Sequence, residues 1–223
     1  MQTTPSITLW GVKVSPYVRK VIVTLEEKKL PYTLIETFPA AFLKIVNQPI
    51  PADLMKVSPL GRVPALQDGD ASIADSAVIG VYLDKKYPNT PSLYPNDPEQ
   101  HAKTLWFENF ADHILSKITY DKVLFPVLAK PLLYKTECDH EEVKRVIQEE
   151  LPPLLTFLEK ALSSNNQWIV GDAFTVADIA IATQFSGMDA SGYPIDNVKW
   201  PKLSHYLKRV GARESYQTAL KAA

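Results

Sequence analysis

Proline placement limits what this chain can become more than any other feature. The 223 residues include 18 prolines against 8 glycines, and Pro88, Pro91, Pro95 and Pro98 crowd into one short stretch with Asn, Ser and Asp between them. Proline has no amide proton and a fixed φ, so it stops helices and is excluded from sheet interiors. The stretch therefore predicts a linker over 89–97, dividing the chain into domains 1–88 and 98–223. Domains average roughly 100–200 residues, so one large or two small units are the choices, and the prolines favour two.

The patterns on either side of the linker differ. Upstream, Ile7-Thr8-Leu9-Trp10 and Tyr32-Thr33-Leu34-Ile35 read as strands, and Ala65 to Asp68 and Ala71 to Ile73 as a hairpin across Gly69-Asp70. Between them, Ser15-Pro16 opens a helix with apolar residues at Val18, Val21, Ile22 and Leu25. Ala41 to Val46 suggests a short helix interrupted by Pro49 and Pro51, and Ser76 to Tyr87 a third one, giving β-α-β-α-β-β-α. Downstream the pattern is helical throughout: Glu99 to about Lys122, Asp139 to Ala161 with a break at Pro152-Pro153, and further helices from Pro201 and Glu214. Thr175 with Asp178 three residues on reads as a capping box, and Phe174 with Ile179 as a hydrophobic staple. The fold class is thus an α/β domain followed by an all-α domain.

Charge and composition remove several function classes. Lys and Arg number 24 and Asp and Glu 25, so the net charge is −1 and the cationic footprint of a nucleic-acid binder is missing. The single cysteine, Cys138, allows no internal disulfide, CxxC pair or thiolate zinc site, and near a helix start it is expected to be modestly reactive. The four histidines have no metal-ligand spacing, so no metal is expected. No apolar run approaches the ~18–20 residues of a membrane span, and Met1 to Trp10 lacks the pattern of a leader, so a cytoplasmic protein is expected.

Four segments carry a resemblance. Ser15-Pro16-Tyr17-Val18-Arg19-Lys20-Val21, Gly61-Arg62-Val63-Pro64-Ala65-Leu66, Asp75-Ser76 and Gly171 to Ile179 occur in an order and spacing that resemble cytosolic glutathione S-transferases of the serine type, similar to the theta, tau and zeta groups. The resemblance implies a thioredoxin-like first domain, a helical second domain that forms an electrophile pocket, glutathione as co-substrate and a homodimer. It also implies that Val63 and a cis Pro64 hold the cysteinyl backbone of glutathione, by strand addition.

Physical chemistry supplies roles for the matching residues. Ser15 at a helix N-terminus offers a hydroxyl at the positive end of the dipole, where a thiolate is favoured over a thiol. A hydrogen bond to a charged acceptor is worth about 1.5–3 kcal/mol, or about 1–2 pKa units, enough to bring a thiol from ~8.5 toward neutrality. A plain helix cap is the alternative for the same residue. Asp75-Ser76 suits the ammonium and carboxylate of a γ-glutamyl group, and equally suits a cap. The resemblance implies a Lys, His or Gln in the segment before this loop to meet the glycyl carboxylate; here Gln48-Pro49-Ile50-Pro51 has no cation, leaving Gln48 as a neutral donor or Arg62 for that role. Tyr17, Trp106, Phe110 and His113 are the candidates to border the electrophile pocket, while Thr175 and Asp178 are read as structural capping residues. Conjugation of hydrophobic electrophiles, with hydroperoxide reduction, is the expected activity. A glutathione-dependent isomerase and a non-catalytic adaptor are the other readings.

Overall fold

A computed structural model describes residues 7–162 and 167–221. Residues 1–6, which include most of the segment read for a leader, lie outside the described residues. Four strands, β1 (Ile7–Trp10), β2 (Tyr32–Ile35), β3 (Ala65–Asp68) and β4 (Ala71–Ala74), form one sheet in the order β2-β1-β3-β4. β1 is parallel to β2 and antiparallel to β3, and β3 and β4 are antiparallel. The parallel pair needs a crossover, supplied by α1 (Pro16–Glu27); the antiparallel pair closes over Gly69, which takes φ +58°. Helix α4 (Ser76–Lys86) follows β4 directly.

The first unit contains one helix more than its sequence pattern predicts. α2 spans Ala40–Ile45, and a separate α3 spans Ala52–Val57 immediately after Pro51. Pro51 does break the preceding segment, but a proline just ahead of a helix is compatible with its start, because the first-turn amides need no intrahelical partner. Asp53 in the first turn and Lys56 in the last suit the helix dipole.

All strands precede residue 75, and the described residues after Pro98 are helical wherever they are regular. α5 (Pro98–Asn109) does not stop near Lys122 as expected. It runs on through a π-helical stretch Phe110–Leu115, α6 (Ser116–Ile118), a second π-helical stretch Thr119–Ala129 and α7 (Lys130–Tyr134). Pro126 sits inside the second stretch, where an α-helix would need its missing amide. The wider turns there carry the chain past it, with the Lys130 amide donating five residues back to Phe125. α8 (His140–Glu149) and α9 (Pro152–Ala161) are separated at the expected double proline, and α10 (Val176–Ala190), α11 (Pro201–Gly211) and α12 (Glu214–Leu220) complete the chain.

α10 is the buried axis of the second unit: residues Val176 to Met188 are all inaccessible. Asp178 in its first turn is fully buried and accepts from the amides of Thr175 and Ile169, both at 2.9 Å, from the Tyr206 hydroxyl at 2.9 Å and from the Thr175 hydroxyl at 3.1 Å. Burial pushes this carboxyl up, while the four donors pull the other way. Phe174 sets its ring edge against Trp168 and lies 4.0 Å beneath the Arg213 guanidinium.

α1 packs against α10 and α12 and joins the two units through charge as well as apolar contact. Lys20, 1% exposed, donates to Glu108 at 3.0 Å and to Asp112. Burial alone would lower the Lys20 pKa, but the two carboxylates outweigh it and hold it above its usual value. Glu27 at the end of α1 accepts a bidentate pair from Arg213, at 2.7 Å for each bond, and a further bond from Ser215.

Removing Lys20 leaves two buried carboxylates without their cation. Lys20→Met is expected to cost about 3–5 kcal/mol in urea unfolding, with Glu108→Gln in the same chain recovering part of it. At Glu27, burial raises the carboxyl but the Arg213 and Ser215 hydrogen bonds prevail, so its folded pKa is below the unfolded value. Its contribution to stability is thus complete above the ordinary carboxylate range and is lost as pH falls through the folded pKa. Acid titration of stability for Glu27→Gln should show a shallower slope below about pH 4 than the unaltered chain.

Candidate functional site

Strand register gathers the motifs at one end of the sheet. Ala65, the first residue of β3, pairs with Trp10 at the end of β1 and with Ala74 at the end of β4. The β1–α1 loop with Ser15, the Val63-Pro64 segment entering β3 and the Asp75-Ser76 segment leaving β4 must therefore emerge side by side. Gly61 makes this possible at φ +62°, where a Cβ would stand 2.4 Å from that of Ala40. The Gly61 carbonyl accepts from the Ala40 amide at 2.8 Å, and the Val63–Pro64 peptide is cis.

A cleft of about 590 Å³ opens at this end. From the first unit it is lined by Tyr17, Ser58, Arg62, Val63, Pro64, Asp75 and Ser76 among others, and from the second by Asp112 and His113. Arg62 is exposed, with its amide donating to the Ser58 hydroxyl at 3.0 Å. Ser76 is buried at the first position of α4. Asp75 is the helix cap: its Oδ1 accepts from the amides of Ala77 at 2.9 Å and Val78 at 3.3 Å. It does so at φ +81°, a conformation unfavourable for a residue with a Cβ. Cap and charged cleft residue are thus the same side chain, since Oδ1 serves the helix and the side chain remains exposed in the cleft lining.

Other sequence candidates lie elsewhere. Ser15 is half-buried at the N-cap of α1, and its hydroxyl makes no capping hydrogen bond, in contrast to the plain cap that Ser-Pro suggests. It is not among the residues lining the cleft, although Tyr17, two residues on in the first turn, is. Gln48 is exposed and outside the lining, so of the two candidates for a carboxylate only Arg62 faces the cleft. Trp106 and Phe110 are not part of it. Their rings stack at 5.7 Å, and both pack against Phe157 on α9, at 5.5 and 5.2 Å, because their turn of the helix faces α9. Cys138 also departs from expectation: burial, with Asp139 beside it, pushes its thiol up and away from reactivity. Among the described residues no cluster of three or more His, Cys, Asp or Glu could hold a metal ion.

Aromatic side chains of which sequence reasoning named only Tyr17 mark a second apolar space. Tyr17 meets Tyr120 at 5.8 Å, Tyr120 meets Phe125 at 6.4 Å and Phe125 meets Phe42 at 5.9 Å. Phe42 in turn lines a groove of about 210 Å³ between α2 and α7, together with Phe38, Val46, Ala129, Leu132 and Leu133. No helical period of 3.6 relates Tyr120, Phe125 and Leu132 to the cleft residues, because the π-helical turns shift the face that each presents.

Residues 9–91 match the family described as "Glutathione S-transferase, N-terminal domain", and residues 127–221 match "Glutathione S-transferase, C-terminal domain". Glutathione S-transferase 1 of Manduca sexta is 30% identical over 215 residues, covering 95% of this chain and 90% of that one. Among solved structures, a glutathione S-transferase from Rhodospirillum rubrum F11 superimposes with TM-score 0.83 at 24% identity, covering 97% of this chain and 93% of that one. A theta class glutathione S-transferase from Xanthomonas axonopodis pv. citri, with glutathione bound, gives 0.79 at 25% identity and 99% of both chains.

Asp75→Ala removes the α4 cap and leaves a side chain at positive φ without local hydrogen bonding. A loss of about 1–2 kcal/mol in urea unfolding is expected. Asp75→Gly, which relieves the backbone, should lose less.

Proposed function

The chain belongs to the glutathione S-transferase family, and from that premise we propose that it joins the glutathione thiolate to hydrophobic electrophiles and reduces organic hydroperoxides. The observation that carries this reading is the gathering of Arg62, Val63, Pro64, Asp75 and Ser76 in one cleft, at the same end of the sheet as a serine whose hydroxyl its own helix does not use. In this reading the Ser15 hydroxyl and the α1 N-terminus stabilise the thiolate. The Val63 backbone pairs with the cysteinyl residue, and Asp75 and Ser76 take the ammonium and carboxylate of the γ-glutamyl group. Arg62 takes the glycyl carboxylate by a charge-assisted bond, in place of Gln48.

The second substrate is assigned to the groove of Phe38, Phe42, Val46, Ala129, Leu132 and Leu133, not to Trp106 and Phe110. Its wholly apolar lining and the line of rings from Tyr17 to Phe42 support this assignment. An uncharged aryl or alkyl group fits such a wall, and an acid-bearing isomerase substrate does not. Exposed apolar side chains at Val78, Val81, Leu105 and Trp106 support a homodimer. No helix among the described residues is long and apolar enough to cross a membrane.

Calorimetry with glutathione, with the bound thiol followed by ultraviolet absorbance, tests the reading. The unaltered chain should bind saturably and show thiolate near neutral pH. Ser15→Ala should still bind, with the thiol pKa raised by about 1–2 units. Absence of saturable binding at millimolar glutathione would reject catalysis in favour of an adaptor.

A further inference from the structure

Tyr17 carries a hydroxyl that the thiolate chemistry above does not employ. The residue lines the cleft on the first-unit side, and its hydroxyl donates to the Asp112 carbonyl on the opposite side at 3.2 Å. That bond is long and dispensable to its acceptor. The same carbonyl already receives the Ser116 hydroxyl at 2.7 Å, so it stays paired in a closed environment if the phenol turns away. The ring meets Tyr120 edge to face, and the hydroxyl proton is free to turn about the C–O bond without any movement of the ring. Tyr17 also begins the line of rings that runs by Tyr120 and Phe125 to Phe42 in the apolar groove, while its own place is in the cleft lining.

We propose that the Tyr17 hydroxyl is the proton donor to substrates whose leaving atom is oxygen, and so makes this site more effective on hydroperoxides than on halides. The inference rests on the transferase reading given above and specialises it. In the hydroperoxide reaction the thiolate sulfur attacks the distal oxygen, forming an S–O bond as the O–O bond breaks. The departing electron pair leaves on the alkoxide, which takes the Tyr17 proton and departs as an alcohol. Sulfur is oxidised to a sulfenic acid and the peroxide is reduced. Solvent then returns a proton to the phenolate, and a second glutathione converts the sulfenic acid to the disulfide and water. An aryl halide reacts without this need, because chloride leaves as a stable anion.

The surroundings keep the phenol in its donor form. Burial raises its pKa, helped by the charges of Asp112 and Asp121 and opposed by the Ser116 hydrogen bond and by Lys20. His113 on the opposite wall is the competing proton source.

The test compares Tyr17→Phe with the unaltered chain on cumene hydroperoxide and on chlorodinitrobenzene, with glutathione KM and thermal midpoint measured alongside. General acid catalysis contributes ~100-fold or more, so kcat for the hydroperoxide should fall by at least that factor relative to kcat for the halide. The alkaline limb of the hydroperoxide pH profile should disappear with the hydroxyl. Equal losses on both substrates would overturn the inference and leave the transferase reading intact. The same holds if His113→Gln and not Tyr17→Phe produces the selective loss. Failure of the unaltered chain on both substrates would remove the transferase reading, and this inference with it.

Discussion

The ammonium of Lys20 stands on α1 in the first unit, inside a core otherwise built from Val18, Val21, Ile22 and Leu25. A cation in such a place is tenable only with counter-charges at hydrogen-bond distance, since desolvation costs several kcal/mol per ion. Both come from the long helix of the second unit, 88 and 92 residues away: Glu108, which is also tied to the Tyr94 hydroxyl, and Asp112. An apolar contact between the same helices would tolerate sliding. The ion network tolerates only the docking that brings both carboxylates to one nitrogen, and that docking fixes where the cleft walls stand.

Asp112 links the network to the chemistry. Its carboxylate faces inward to Lys20, its carbonyl meets Tyr17, and the residue itself lines the cleft beside His113. Burial pushes Glu108 up and the Asp112 charge adds to that, while Lys20 opposes both. The wall opposite the first-unit motifs is thus built on a buried charge balance and not on a loop. The first-unit wall is equally constrained, since Asp75 is held at positive φ by its own cap bonds and Gly61 lies against Ala40.

Much of this was legible in the residues. Strand alternation with a Gly-Asp turn located β3 and β4, Ser15-Pro16 and Trp200-Pro201 marked helix starts, and the double proline at 152–153 marked a break. These are local effects, decided by φ restriction and unpaired amides within a few residues. Reading failed where locality failed. Pro51 looked like an interruption and instead precedes α3, and Pro126 lies within a helix because π-helical turns absorb it. Trp106 and Phe110 had the composition of a substrate wall, but their rings turn to Phe157 on α9, a long-range contact that no periodicity encodes.

The sequence by itself determined the two-unit plan, the family resemblance and which residues were candidates for the site, because turn chemistry, capping and proline geometry act over short stretches. The tertiary structure decided which of them share a cleft. It placed Arg62 there and left Gln48 outside, made Asp75 a cap and a cleft residue at once, and set Tyr17 against Asp112. Those outcomes follow from strand register and from a buried ion network spanning some ninety residues of chain. Both are long-range pairings whose energy exists only once the chain has closed on itself.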